Sequence, residues 1–505
     1  MACELLGAKM TAPFFGTTIY SWAAVLAVTL GALASGYYFG GWLSERKKPE
    51  SLLQYILLLS GIFMLFMPFI AILIMKAVIN LELISGLVIS LMVFLFPPVF
   101  LFGMVSPVII SALVKTVELS GKIAGRVYAI STVGGVLNTL LLGFYIIPNF
   151  GIKWPSIIYG LIIIAVAFSF IVIKKRIIKA FAMIFVISLA INLQAENIDK
   201  NENYIFKIFY SSEGLLGQIK VADYLIQTDS AVLPVRGLLV NNTWQTVVNR
   251  DDGTGLLDYI YFIRPMLSKF SKGSETLLIG LGGGTLCSEI QKKGLNVEVV
   301  ELDSRLPYLA KKYFGLDRNT KIITDDGRHF LQTTEKKYDL IIFDAFLGEN
   351  PPWQLLTQET FAKVKSMLKP DGKFMIEFYG FLAGENGKAG RSVFSTLNSV
   401  GFNTQVVATS FNDGIERNFI YIAGNEAFNF DDLDYNGIKY TDKKIDKLKD
   451  YLVATDNFSK EESVILTDDI PVLDEMLMKA AIEWRKELNV HFRDKFVALG
   501  QPIFY

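Results

Sequence analysis

A run of glycines and a series of carboxylates between residues 277 and 344 stand at spacings that could grip a nucleoside. Gly280, Gly282, Gly283 and Gly284 follow an apolar strand and precede a helix. Glycine there lets the backbone bend sharply and approach a ligand with no Cβ in the way. Glu301 comes about twenty residues later, ending a second strand, where a carboxylate can accept both ribose hydroxyls. Asp325-Asp326-Gly327 closes the next strand, within reach of an adenine amino group. Dinucleotide sites use the first two features but rarely the third acid, so the three together favour a nucleoside without a pyrophosphate, such as S-adenosylmethionine or a derivative. Asp344 ends the apolar stretch 340–343 and would face the sulfonium carbon, placed to take a proton from an attacking amine. The plainer alternative is that Glu301, Asp326 and Asp344 merely cap helices.

These residues need strands to carry them. From 275 to about 425 short apolar runs alternate with helical patterns, which predicts a doubly wound parallel sheet of Rossmann type. Strands are expected at 276–280, 297–302, 321–324, 338–343 and 372–378, with two more at 403–409 and 417–423. Ahead of them, 204–248 reads as a small antiparallel sheet with Asn241-Asn242 as a turn able to take positive φ. The domains expected are therefore 196–250 for the small β sheet, 251–430 for the catalytic part, and a mainly helical extension over 431–505.

Residues 1–195 differ in kind. Runs at 17–42, 52–79, 83–113, 127–147, 154–173 and 177–194 are each near or above the roughly 20 apolar residues that cross a bilayer. The third contains Pro97-Pro98 and Pro107 and is expected to break in two. Met1 to Ala12 reads as the second half of a further span. Spacings Gly31/Ser35 and Gly36/Gly40 permit close helix contact. Basic loops at Arg46–Lys48, Lys115–Arg126 and Lys174–Lys179 place one face in the cytoplasm. A full crossing at 177–194 would then carry the catalytic part outside, away from a cofactor made in the cytosol, so its side stays open. The composition agrees with a membrane protein: 52% apolar residues and 38 Phe among 505 residues. Zero net charge gives no global pull on nucleic acid. Two cysteines, Cys3 and Cys287, and two histidines exclude a disulfide framework and a metal site built mainly from Cys and His.

The chain resembles the spermidine synthase (polyamine aminopropyltransferase) family in its membrane-fused branch. The likeness rests on Gln245-Thr246, GLGGGTL at 280–286, VVELD at 299–303, DDGRHFL at 325–331, FDAF at 343–346 and LLTQETF at 355–361, with APFFGTTIYSW at 12–22 in the membrane part. The resemblance implies cofactor contacts from Gln245, Gly280, Gly282 and Gly283, ribose binding by Glu301, adenine binding by Asp326 and Gly327, and proton acceptance by Asp344. It also implies decarboxylated S-adenosylmethionine as co-substrate and no metal. Thr285 stands where the family's glycine turn has an aspartate facing the amine, Leu347 where it has a second acid, and Gly217 where it has a glutamine. Tyr259 and Tyr261 partly match its Tyr-His-Glu run.

Three readings follow. The first is aminopropyl transfer to an amine such as putrescine. The second is S-adenosylmethionine-dependent methyl transfer, or cofactor cleavage, with another acceptor. The third is a nucleoside-sensing membrane protein, disfavoured by the lack of Asp, Glu or Arg within the spans. The expected partners are a small-molecule acceptor and the lipid bilayer of the cell membrane; a homodimer stays open.

Overall fold

The computed structural model describes residues 1–16, 19–78, 81, 83–114, 116–173, 206–214, 216–227, 232–346, 350–411, 416–436, 445–455, 458, 463–480 and 483. The apolar run 177–194, Lys115, the basic stretch 174–179 and Leu347 lie outside the described residues. The chain forms two units: Met1–Glu202 with Ser211–Ile219 and Asn489–Tyr505, and Asn203–Tyr210 with Lys220–Leu488.

The first unit is helical: α1 (Ala2–Phe15), α2 (Ile19–Ser44), α3 (Pro49–Ala77), α4 (Leu83–Phe94), α5 (Phe96–Leu113), α6 (Val117–Leu141), α7 (Ile147–Phe150) and α8 (Lys153–Ile173). The expected break in the 83–113 run falls at Leu95, between α4 and α5. Pro97 and Pro98 sit in the first turn of α5, where a missing N–H costs no helical bond. A π-helical turn, Leu142–Ile146, joins α6 to α7. Among the described residues, four helices are long and apolar enough to cross a membrane: Tyr20–Ser44, Pro49–Ala77, Phe96–Leu113 and Val117–Phe150. Large apolar side chains point outward from them, Leu73 at 69% and Ile130 at 75% exposure among them.

Of the two glycine spacings in α2, only one makes a contact. A Cβ on Gly36 would lie 2.3 Å from the Phe100 carbonyl oxygen, and one on Gly40 would lie 2.7 Å from the Met104 Cα, so α2 and α5 meet backbone to backbone. A Cβ on Gly31 would meet nothing within 4 Å.

In the second unit a four-stranded sheet, β1 (Phe206–Ser212), β2 (Ile219–Gln227), β3 (Val232–Val240) and β4 (Thr243–Asn249), pairs in sequence order. Asn241 and Asn242 turn β3 into β4 with φ of 49° and 62°, the left-handed values that a two-residue hairpin loop requires. Helix α9 (Asp258–Met266) then leads into a seven-stranded sheet. Its strands are β5 (Glu275–Ile279), β6 (Asn296–Glu301), β7 (Lys321–Thr324), β8 (Tyr338–Phe343), β9 (Leu368–Gly380), β10 (Asn403–Ala408) and β11 (Arg417–Gly424).

Their order is β10-β11-β9-β8-β5-β6-β7. The pairs from β9 to β7 are parallel, but β11 runs antiparallel to both β9 and β10. The sheet is therefore mixed, which corrects the all-parallel expectation: β11 follows β10 through a short loop, and only a hairpin connection closes over so few residues. The parallel part of the sheet keeps the doubly wound, Rossmann-like arrangement.

Alternation along each strand sends side chains to two separate cores. Leu277, Ile341, Phe343, Phe374 and Ile376 pack on one face beneath α12 (Gly327–Thr333), α13 (Gln358–Met367) and α14 (Lys388–Ser399). Leu278, Leu340, Ile342, Met375 and Ile420 pack on the other beneath α9, α10 (Thr285–Lys292) and α11 (Leu306–Tyr313). Cys287 is buried in the second core, and burial pushes its thiol up to about 12, which makes it inert. Of the C-terminal segment expected to be mainly helical, residues 437–444, 456–457, 459–462, 481–482 and 484–505 lie outside the described residues. Its described residues over 445–480 include a 3-10 turn, Leu448–Tyr451, a short helix, α15 (Leu473–Met476), and further helical residues at 478–480. It is held by burial of Leu448, Leu466, Leu473 and Leu477 against the two cores, which an irregular chain can do without helical periodicity.

Gly36→Val should separate α2 from α5 and cost about 1–3 kcal/mol by overpacking, whereas Gly31→Val should be close to neutral. Thermal unfolding of the purified variants checks this; equal Tm values for the two would refute the contact.

Candidate functional site

The sheet's order reverses at β5, with β6 on one side and β8 on the other. In open α/β sheets that reversal leaves a crevice at the carboxyl ends of the strands. Three backbone features build it. Gly280 leaves β5 with φ of 95°, and a Cβ on it would lie 2.0 Å from the Asp344 carbonyl oxygen. The Gly280 N–H donates to the Val300 carbonyl at 2.8 Å, and the Asp344 N–H donates to the Ile279 carbonyl at 2.9 Å. Gly283 N–H donates to Thr246 Oγ1 at 2.8 Å, which anchors the glycine turn to β4 beside Gln245.

Glu301, at the end of β6, is 7% exposed. Its Oε2 accepts from the Leu281 N–H at 2.9 Å and its Oε1 from the Asp303 N–H at 2.7 Å. Burial pushes its carboxyl up to about 7, against the pull of the Asp303 and Leu281 amides. Those two bonds orient the carboxylate across the turn, and each oxygen keeps a second acceptor direction. Asp326 caps α12, its Oδ1 accepting from the His329 N–H at 3.0 Å. Gly327 starts that helix against β5, for a Cβ there would meet Ile279 Cγ2 at 2.7 Å. Asp325 takes the His329 ring, Nδ1 to Oδ2 at 2.8 Å. Capping and ligand binding are thus compatible at Asp326, since one oxygen serves the helix.

Asp344 follows β8 on the far side of the glycine turn. The Tyr259 hydroxyl, from α9, donates to Asp344 Oδ2 at 3.0 Å. Burial raises the Asp344 carboxyl to about 6, while the Tyr259 hydrogen bond works to lower it. Tyr259 itself is pushed well above the usual phenol range, first by burial and then by the charge of Asp344. Its proton therefore stays in place as a donor.

A further buried carboxylate, Glu377, stands beside Asp344, though no sequence motif marks it. The register pairs Phe343 of β8 with Ile376 of β9, so Asp344 and Glu377 are the next neighbours across the two strands. Both continue the alternation of the core that holds Ile342, Met375 and Tyr259. Glu377 is 2% exposed. One of its oxygens accepts from Asn418 Nδ2, and the other, Oε2, has no hydrogen-bond partner among the described residues. A lone carboxylate inside the apolar run 374–381 was the available signal, lost because it reads as an ordinary strand position.

The crevice thus brings together Gly280, Gly282, Gly283, Glu301, Gly327 and Asp344, with Gln245 beside the anchoring threonine. Thr285, at the first position of α10, has a part-buried hydroxyl with no partner among the described residues. It brings no charge to the glycine turn.

Residues 264–379 match the sequence model of the Spermine/spermidine synthase domain. A probable polyamine aminopropyl transferase of Bifidobacterium longum is 28% identical over 159 residues, 31% of this chain and 35% of that protein. An N-terminal histidine N-methyltransferase of Emericella nidulans is 35% identical over 113 residues, 21% of this chain and 20% of that protein. The chain therefore spans about a fifth to a third of the length of these relatives. The crystal structure of spermidine synthase from Thermotoga maritima aligns with a TM-score of 0.38 at 18% identity, covering 51% of this chain and 87% of that one. The similarity to the Spermine/spermidine synthase domain is thus confined to residues 264–379, the part of the chain that carries the glycine turn, Glu301, Asp344 and Glu377.

Proposed function

We propose that this chain transfers an aminopropyl group from decarboxylated S-adenosylmethionine to an amine such as putrescine, with Asp344 as the proton acceptor. The observation that carries this is Asp344 itself, a buried carboxylate at the β8 end, held by Tyr259 and packed against the glycine turn. The glycine turn admits the nucleoside close to the backbone, Glu301 takes the ribose hydroxyls, and Asp326 with Gly327 takes the adenine end. Gln245 lies beside the turn and completes the cofactor side.

The step balances as follows. The acceptor's ammonium gives its proton to Asp344, and the freed lone pair attacks the methylene carbon next to sulfur. A C–N bond forms as the C–S bond breaks, and sulfur keeps the electron pair. A cationic sulfonium becomes the neutral thioether methylthioadenosine, and Asp344 later releases the proton to solvent. No metal enters this sequence. An acid held near 6 is ionised at neutral pH yet basic enough to share the amine's proton, which suits general-base work.

The helical unit is read as the part that holds the chain in a lipid bilayer, for its outward apolar side chains are poorly matched to water. A second reading, methyl transfer from S-adenosylmethionine, is favoured by the 35% identity to an N-methyltransferase and by the uncharged Thr285. Products separate the two. Methylthioadenosine with an aminopropylated amine supports the first reading; S-adenosylhomocysteine would replace it with the second.

Asp344→Asn should lower turnover by about 10²–10⁴-fold and leave methylthioadenosine binding unchanged by calorimetry; undiminished turnover would remove Asp344 from its role. Glu301→Gln should weaken nucleoside binding by about 1–3 kcal/mol through loss of charge-assisted hydrogen bonds, read as a higher Kd with a smaller effect on kcat. Turnover should fall with acidity as pH drops through about 6, where Asp344 becomes protonated. Tyr259→Phe removes a bond that favours the carboxylate, so this limb should move to higher pH. A pH profile of kcat/KM unmoved by Tyr259→Phe would contradict that assignment.

A further inference from the structure

We propose that Glu377 is a reserve carboxylate of the acceptor pocket: neutral in the resting site, it ionises when a cationic acceptor group enters, and so selects ammonium-bearing acceptors over neutral ones. This deepens the aminopropyl-transfer reading and rests on it for the identity of the pocket. The geometry comes first. Glu377 and Asp344 stand side by side on adjacent parallel strands, one step past the Phe343–Ile376 pair, and face the same side of the sheet. Two carboxylates so close, away from water, cannot both hold a charge without a cation between them.

The groups around the pair leave it one negative charge. Tyr259 from α9 donates to Asp344, which favours ionisation there. Asn418 from β11 gives Glu377 a neutral amide donor and no charge. Arg417, one residue earlier on β11, is turned by strand alternation to the opposite face with Phe419. Glu377 Oε2 faces no donor among the described residues, the state expected of an oxygen kept for a ligand. Its carboxyl is pushed well above the usual range, by burial first and then by the charge on Asp344, so Glu377 is the member that keeps the proton.

An incoming ammonium reverses this balance. Its positive charge stabilises both carboxylates, Glu377 gives up its proton to solvent, and the doubly charged pair holds the ammonium. Asp344 then takes the ammonium's own proton as the nitrogen attacks. A hydroxyl or amide acceptor brings no charge, leaves Glu377 protonated and binds poorly. The pocket thus carries its second negative charge in Glu377, on β9, where Leu347 supplies none.

The test is calorimetry of the methylthioadenosine-saturated protein with putrescine as the probe, at pH 7 in buffers of different ionisation enthalpy, beside an infrared titration of the carboxyl C=O band. Wild type should release about one proton per amine bound and show a protonated carboxyl at pH 7 that the amine removes. Glu377→Gln should lose that band and the proton release and bind putrescine at least tenfold more weakly, with methylthioadenosine binding unchanged. Amine binding without proton release in wild type, no amine binding at all, or equal putrescine affinity in the variant would each overturn the proposal. The wild-type measurements decide the matter even where the variant fails to fold. Aminopropyl turnover is assayed separately: product formed without proton release sinks only the Glu377 proposal, whereas proton release with no aminopropylated product sinks only the transfer reading.

Discussion

The carbonyl of Asp344 occupies the space that a side chain on residue 280 would need, and much of the site depends on that contact. With no Cβ at Gly280 the ends of β5 and β8 close to van der Waals distance, and the Asp344 N–H can reach the Ile279 carbonyl. The glycine turn and the acid are therefore positioned by one backbone junction. Any side chain at 280 would also meet a φ that only glycine adopts without strain. The precise placement of Asp344 relative to the turn follows from backbone geometry, and side-chain chemistry is added on top of it.

The second constraint is the cost of burying carboxylates. Glu301, Asp344 and Glu377 are each held above the ordinary carboxyl range by burial. A fold tolerates this where donors or ligands answer the charge. At Glu301 two backbone amides do so. At Asp344 a tyrosine hydroxyl does part of the work. At Glu377 a single amide leaves one oxygen unanswered. The gradient from satisfied to unsatisfied runs from the β6 side of the crevice to the β9 side. In the function proposed above, the β6 side would be the nucleoside half, ordered before binding, and the β9 side the acceptor half, whose charge its ligand would complete.

The helical unit shows a different use of glycine. Gly36 and Gly40 let α2 and α5 meet closely, while their exteriors remain apolar. Such backbone-to-backbone contact supplies dispersion between the two helices. In the sheet domain the same residue type bends chain at a crevice.

Several elements were legible because their causes are local. The 3.6-residue and two-residue periodicities, the Asn241-Asn242 turn and the glycine run after β5 each depend on neighbours in sequence, and the chain itself determined them. So did the placing of Glu301, Asp326 and Asp344 at strand ends, because apolar runs mark where strands stop. The mixed direction of β11 and the choice of Gly36 over Gly31 as a contact were decided only by what each segment packs against. The pairing of Asp344 with Tyr259 and Glu377 belongs to this second group: the three lie far apart in sequence and meet only because β8, β9 and α9 pack together. A lone glutamate in an apolar strand carries no mark of its neighbour, since strand register and face are properties of the folded sheet.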